Sequence, residues 1–260
     1  MIRSHFIVCM MLFCPAALSA QGPNSIISEI AHTTQTVTGQ PIEVVEQPEF
    51  VVSRITIGVG QRLPIHKHPY QRIGYLVSGT LDLVDVARNT RKTYKAGDMV
   101  IEMRDEWHYG ENISNQPAEL LLIDTVPIGS KSNITLNNGG NIPFPAGKHE
   151  RFSKTWADQP ISVTRHPEIR ANIYDIMAHS VFPLHKHDHQ RVFYVLSGEV
   201  DLIDAETKRR ETIGEGNFVV ESLKLWHYGE NNGDVTAHIL VIDFVPPNSP
   251  NNTILKSSLL

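Results

Sequence analysis

LPIHKHPYQRIGYLVSGTLDLVD, running from Leu63 to Asp85, and FPLHKHDHQRVFYVLSGEVDLID, from Phe182 to Asp204, carry one residue pattern 119 positions apart. In each, an apolar, β-branched and aromatic run (Arg72–Val77, then Arg191–Leu196) stops at a Ser-Gly pair. TLDLVDV and EVDLIDA follow, alternating apolar and polar residues with the period of two that a half-buried strand requires. The same offset relates DEWHYGEN (Asp105–Asn112) to KLWHYGEN (Lys224–Asn231), LLIDTVP (121–127) to LVIDFVP (240–246), and Gln40-Pro41-Ile42 to Gln159-Pro160-Ile161. Residues 33–136 thus map onto 152–255 without a gap, an internal repeat of one small-domain module. Further strands are expected at Asp98–Met103 and Glu119–Val126, and no segment shows a sustained helical period. Many short strands broken by Gly and Pro predict an all-β fold, a sandwich or barrel in each copy.

Domain limits follow from the repeat. Residues 21–136 form an N-terminal domain and 152–260 a C-terminal one. Between them lies a linker at 137–151, rich in Gly, Pro and Asn. Residues 1–20 read as a secretory signal peptide: Arg3 and His5, an apolar run from Phe6 to Phe13, then Pro15 and small residues. That run is shorter than the roughly 20 apolar residues needed to span a bilayer, so no membrane association is expected after its removal. Both cysteines, Cys9 and Cys14, fall inside it, which leaves the mature chain without disulfides or thiolate ligands. Export to a periplasm or secretion is the expected localisation. A net charge of −5 offers no basic surface for nucleic acid.

Each copy places two histidines on one strand face, His66 with His68 and His185 with His187, because side chains two apart in a strand point the same way. A third follows in each copy, His108 and His227. Three neutral imidazoles on a rigid β scaffold suit one divalent metal per domain, with Fe, Zn, Cu, Ni and Mn all admissible.

With these residues in view, the chain resembles the cupin superfamily, and specifically a bicupin. Gly60, His66, His68 and Gly79 match the first cupin motif, G-x5-H-x-H-x3-4-E-x6-G, and His185, His187 and Gly198 match it in copy two. Gly97, His108 and Asn112, then Gly216, His227 and Asn231, match the second motif, G-x5-P-x-G-x2-H-x3-N. The resemblance implies two tandem double-stranded β-helix (jelly-roll) barrels, each holding a metal inside. Three departures stand out. The metal-ligating Glu of the first motif is replaced by Arg72 and Arg191. The Pro and Gly of the second are Met103 and Asp105, then Ser222 and Lys224. Copy two also lacks the leading glycine of the first motif, six residues before His185.

Arginine stays protonated and cannot ligate a metal. Two arrangements accommodate it: a turn away from the metal to pair with a carboxylate, with Glu102 and Glu221 the candidates, or an approach to the cavity to bind an anionic group of a substrate. Either leaves a three-histidine metal shell with open positions, as in three-histidine cupin dioxygenases. Gln71 and Gln190 are candidates to add an amide oxygen or orient a water, and Tyr109 and Tyr228, beside Trp107 and Trp226, to wall the cavity with a hydroxyl. The expected function is a metal-dependent, dioxygenase-like enzyme acting on a small anionic molecule. The alternative is a non-catalytic protein that binds or senses a small molecule. A homo-oligomer is compatible with either.

Overall fold

A computed structural model describes residues 25–130, 134–137, 141–142 (backbone only) and 149–256. The proposed signal peptide and most of the linker lie outside these residues. The described chain is all β, as the alternating texture predicts, and forms four antiparallel sheets arranged as two jelly rolls.

In the N-terminal barrel one sheet contains Pro48–Ile57, Ala118–Pro127, Arg72–Ser78 and Met99–Ile101. The opposing sheet contains His66–Lys67, His108–Asn112, Thr80–Asp85 and Thr90–Lys95. The C-terminal barrel repeats this with Glu168–Ile176, Ala237–Val245, Arg191–Ser197 and Phe218–Val220 against Ser180–His187, His227–Asn231, Glu199–Asp204 and Arg210–Gly214. The Ser-Gly turns are tight. Gly79 has φ +84°, and a Cβ there would lie 2.8 Å from the Ala118 backbone; Gly198 is its equivalent at φ +77°.

The runs LLID and LVID are apolar on both faces because both faces are buried. Leu120 and Leu122 point into the N-terminal barrel with Ile55, Leu81 and Leu83. Their neighbours Leu121 and Ile123 point outward and pack against Ile169, Val192, Leu240 and Ile242 of the other barrel. The two barrels therefore share a third core between their facing sheets. Phe50 sits at its centre, with ring centroids 5.4 Å from Phe244 and 6.1 Å from Phe218.

Strand pairing also crosses the 137–151 joint, in both directions. Ser25–Thr33 pairs with Glu168–Ile176, so the first strand among the described residues completes the sheet of the C-terminal barrel. His149–Phe152 pairs with Pro48–Ile57 in the N-terminal barrel. Each copy of the module lends its leading strand to the other.

A shared core and exchanged strands tie the stability of the two halves together. Phe50→Ala should cost about 3–5 kcal/mol. Denaturant unfolding followed by tryptophan fluorescence and circular dichroism should show one shifted transition; two separate transitions would show that the halves unfold independently.

Candidate metal centres

His66 and His108 are cross-strand partners, as are His185 and His227, and the sheet brings the third imidazole of each copy alongside them. Ring centroids lie 4.5 Å apart for His66–His108, 5.1 Å for His68–His108 and 6.3 Å for His66–His68. The C-terminal trio is tighter: 4.3 Å for His185–His227, 5.1 Å for His187–His227 and 4.8 Å for His185–His187. All six are buried.

Every one of the six Nδ1 atoms faces a main-chain carbonyl. The partners are Pro64 (2.8 Å), Tyr70 (2.9 Å) and Glu106 (2.8 Å) for His66, His68 and His108. For His185, His187 and His227 they are Pro183 (2.7 Å), Asn252 (3.3 Å) and Leu225 (2.9 Å). A carbonyl only accepts, so each Nδ1 carries the hydrogen and each Nε2 presents a lone pair. This is the outer-shell arrangement that orients metal-ligating histidines.

The fourth participant differs from the sequence expectation. Glu102 does not pair with Arg72. Its Oε2 lies 2.9 Å from His68 Nε2 and 3.3 Å from His108 Nε2. Glu221 Oε2 lies 2.8 Å from His187 Nε2 and 2.9 Å from His227 Nε2. A carboxylate from the stretch just after Met99–Ile101 and Phe218–Val220 therefore joins the histidines of each copy, and the candidate donor set becomes histidine–carboxylate. Among the described residues, the donor atoms of His185, His187, Glu221 and His227 all lie within 4.8 Å of one another, as do those of His68, Glu102 and His108. His66 stands outside the second group.

The electrostatics favour the neutral form of His66, His68, His185 and His187 and the ionised form of both glutamates. Burial, reinforced by His108, pushes His66 down to about 3, and burial with His227 and His187 does the same to His185. Burial, then the positive charge of Arg72, lowers His68; burial and Arg191 lower His187. Burial opposes ionisation of Glu102, but its contacts with His108 and His68 and the positive charge of Arg72 hold its carboxyl well below the usual range. Glu221 is held down in the same way, against burial, by His187 and His227. Nε2 lone pairs thus face an anionic oxygen across ordinary hydrogen-bond distances. Two donors about 2.1 Å from one cation at right angles lie about 3.0 Å apart, so the spacing fits a first-row divalent ion.

Arg72 takes the first of the two arrangements, with a different partner. Its Nε and Nη2 donate to Asp124 Oδ1 and Oδ2 at 2.6 and 2.9 Å. Arg191 donates likewise to Asp243 at 2.8 and 2.7 Å. The pairs are buried, bidentate and neutral as units, so the arginine charge is offset beside the metal group. Both arginines line the histidine cavities, which measure about 20 Å³ in the N-terminal barrel and about 50 Å³ in the C-terminal one.

The remaining expected residues lie elsewhere. Gln71 and Gln190 line neither cavity. Their amide nitrogens donate to the main-chain carbonyls of Glu102 and Glu221, each at 2.7 Å, fixing the backbone that carries the carboxylate. Tyr109 and Tyr228 are one residue from a ligand histidine and so fall on the opposite strand face; Arg62 stacks on Tyr109, and Lys186 on the neighbouring Trp226. Asn252 is a contributor the sequence reading missed. Its carbonyl holds His187, and its side chain donates to Asp243 at 2.7 Å, linking a ligand to the arginine pair.

Removing one partner of a buried pair strands a charge, whereas removing both does not. Asp124→Ala should therefore destabilise the protein by about 3–5 kcal/mol. The double variant Arg72→Met with Asp124→Leu should recover most of that loss in the same chemical denaturation assay. Equal losses in the single and double variants would contradict the pairing as the source.

The cupin domain model matches the chain twice, over residues 53–124 and 172–243. No curated protein matches. Among solved structures, the oxalate decarboxylase of Lactobacillus farciminis in complex with formate superposes with a TM-score of 0.59 at 16% identity, covering 89% of this chain and 84% of that one. AerE from Microcystis aeruginosa gives 0.55 at 15% identity, covering 84% and 99%. The oxalate decarboxylase of Bacillus subtilis, described with Mn(II) centres, gives 0.53 at 14% identity, covering 90% and 79%. At these identities the likeness is one of fold. The paired domain matches, each spanning a barrel with a buried histidine–carboxylate group, make this chain a bicupin, a member of the cupin family.

Proposed function

We propose that the protein is an exported, metal-dependent enzyme of oxidoreductase or decarboxylase type, acting on a small carboxylate. The observation that carries this reading is the buried set of His185, His187, Glu221 and His227, whose acceptor atoms converge on one point beside a guanidinium. One anionic ligand and a divalent ion leave the group with a net positive charge, which favours an anionic substrate.

Manganese and iron head the admissible ions Fe, Zn, Cu, Ni and Mn, supported by the N/O donor set and by the Mn(II) centres of the fold-related oxalate decarboxylase. When bound, such an ion supplies Lewis-acid activation and one-electron chemistry with dioxygen. The chain contributes the rest. Arg191 commits Nε and Nη2 to Asp243, and its Nη1 makes no hydrogen bond among the described residues, which leaves an edge to receive a carboxylate oxygen. Tyr174, Phe182 and Phe193 wall the cavity with apolar and aromatic surface. Export rests on the N-terminal sequence.

The full chain, purified and analysed for metals, should hold manganese or iron. Assayed against one- to four-carbon carboxylates for dioxygen uptake and carbon dioxide release, it should turn over one of them. Chelation should abolish turnover, Mn(II) or Fe(II) should restore it, and His227→Ala should lower kcat by at least about a hundredfold. Turnover that survives complete metal removal would overturn the proposal. Stoichiometric capture of a carboxylate with no product would replace it with a binding role.

A further inference from the structure

We propose that the two barrels have diverged into unequal centres: the C-terminal one binds its ion on four donors and admits a ligand, and Phe182 is the positioning residue that completes it. This inference rests on the metal-centre reading above and adds which site works and why.

Three observations separate the copies. The first is the donor set, four converging atoms in the C-terminal barrel against three in the N-terminal barrel, with His66 displaced. The second is space. A water-sized occupant needs about 10–15 Å³ of cavity. The N-terminal cavity, about 20 Å³, is filled by one such occupant, which an ion would be. The C-terminal cavity, about 50 Å³, leaves room for two or three ligand atoms beside an ion.

The third observation explains the first two. Leu63, Ile55 and Gly74 of copy one correspond to Phe182, Tyr174 and Phe193 of copy two. The Phe182 ring meets His185 edge-on, with centroids 5.0 Å apart and planes at 82°, and is itself braced by Tyr174 at 5.6 Å. An edge-to-face contact fixes the plane of the imidazole as well as its position, which an aliphatic Leu63 cannot do for His66. The backbone acts in the same direction. Ser180–His187 is a continuous strand of eight residues, whereas the equivalent N-terminal strand is only His66–Lys67. His185 accordingly lies 4.8 Å from His187, while His66 lies 6.3 Å from His68. Tyr174 also lies under the Arg191 guanidinium, 5.8 Å from ring to Cζ, and steadies the group offered to an anion.

The test is a Mn(II) titration of chelator-stripped, full-length protein, followed by electron paramagnetic resonance with azide as a three-atom anionic probe. The first equivalent should bind at least about tenfold more tightly than any second. His227→Ala should abolish that tight class and His108→Ala should leave it. Azide should change the spectrum of the first equivalent alone. Phe182→Leu, which installs the copy-one residue, should weaken the first equivalent about tenfold and broaden its signal, and Phe182→Tyr, which keeps the ring, should restore both. Unchanged apo-protein melting temperatures across the Phe182 variants would confirm that the effect is local. Loss of the tight class in His108→Ala, an equal azide response at both sites, or full affinity in Phe182→Leu would overturn the inference while leaving metal dependence intact. Absence of Mn(II) binding at either site would overturn both.

Discussion

The architecture of both barrels converges on a contact that is unfavourable as it stands: a carboxylate oxygen facing imidazole lone pairs across 2.8–3.3 Å in a buried cavity. Each Nδ1–H is spent on a main-chain carbonyl, so the Nε2 atoms have no hydrogen to offer Glu102 or Glu221. Acceptors gathered in this way repel unless a cation lies among them. The strands, the turns behind the histidines and the glutamines that hold the Glu102 and Glu221 carbonyls all maintain the gathering. The fold therefore holds an energetically costly arrangement in place, and a divalent ion among the acceptors would relieve the cost.

An arginine at the position where cupins place a ligand carboxylate would be expected to spoil such a site. The structure shows how it is tolerated. Arg72 and Arg191 are each neutralised by a bidentate aspartate from the central strand of the sheet, and the carboxylate that faces the histidines comes from a glutamate six residues before the third histidine. Two changes compensate each other: the carboxylate relocates, and the vacated position gains a cation with its own counter-ion. The second change sets a neutralised guanidinium beside each histidine–carboxylate group.

Much of this was legible in the sequence. The repeat, the strand texture and the six histidines could be read directly, because strand alternation and a fixed offset are local, countable signals. Glu102 and Glu221 stand out as repeated acids and are candidate partners in one of the two arrangements open to the arginines, but spacing along the chain does not reveal which groups meet across a barrel. Asp124 and Asp243 lie inside LLID and LVID, where a repeated acid in an otherwise apolar, doubly buried strand was the available signal for a buried counter-ion. Tyr109 and Tyr228 adjoin His108 and His227 in sequence, and strand alternation turns them to the opposite face. The strand exchange left no local trace, because the leading strand pairs equally well in pattern with either copy. The contact between Phe182 and His185 depends on ring orientation, which no spacing encodes.

Anomalous X-ray scattering from crystals of the protein isolated from its native compartment, collected across the manganese and iron edges, should show a peak in the C-terminal barrel about 2.0–2.3 Å from Nε2 of His185, His187 and His227 and from Glu221 Oε2. A refined structure with no scatterer there, and with a hydrogen-bonded water or a rotated imidazole separating Glu221 from the histidines, would contradict a metal-binding role for this group.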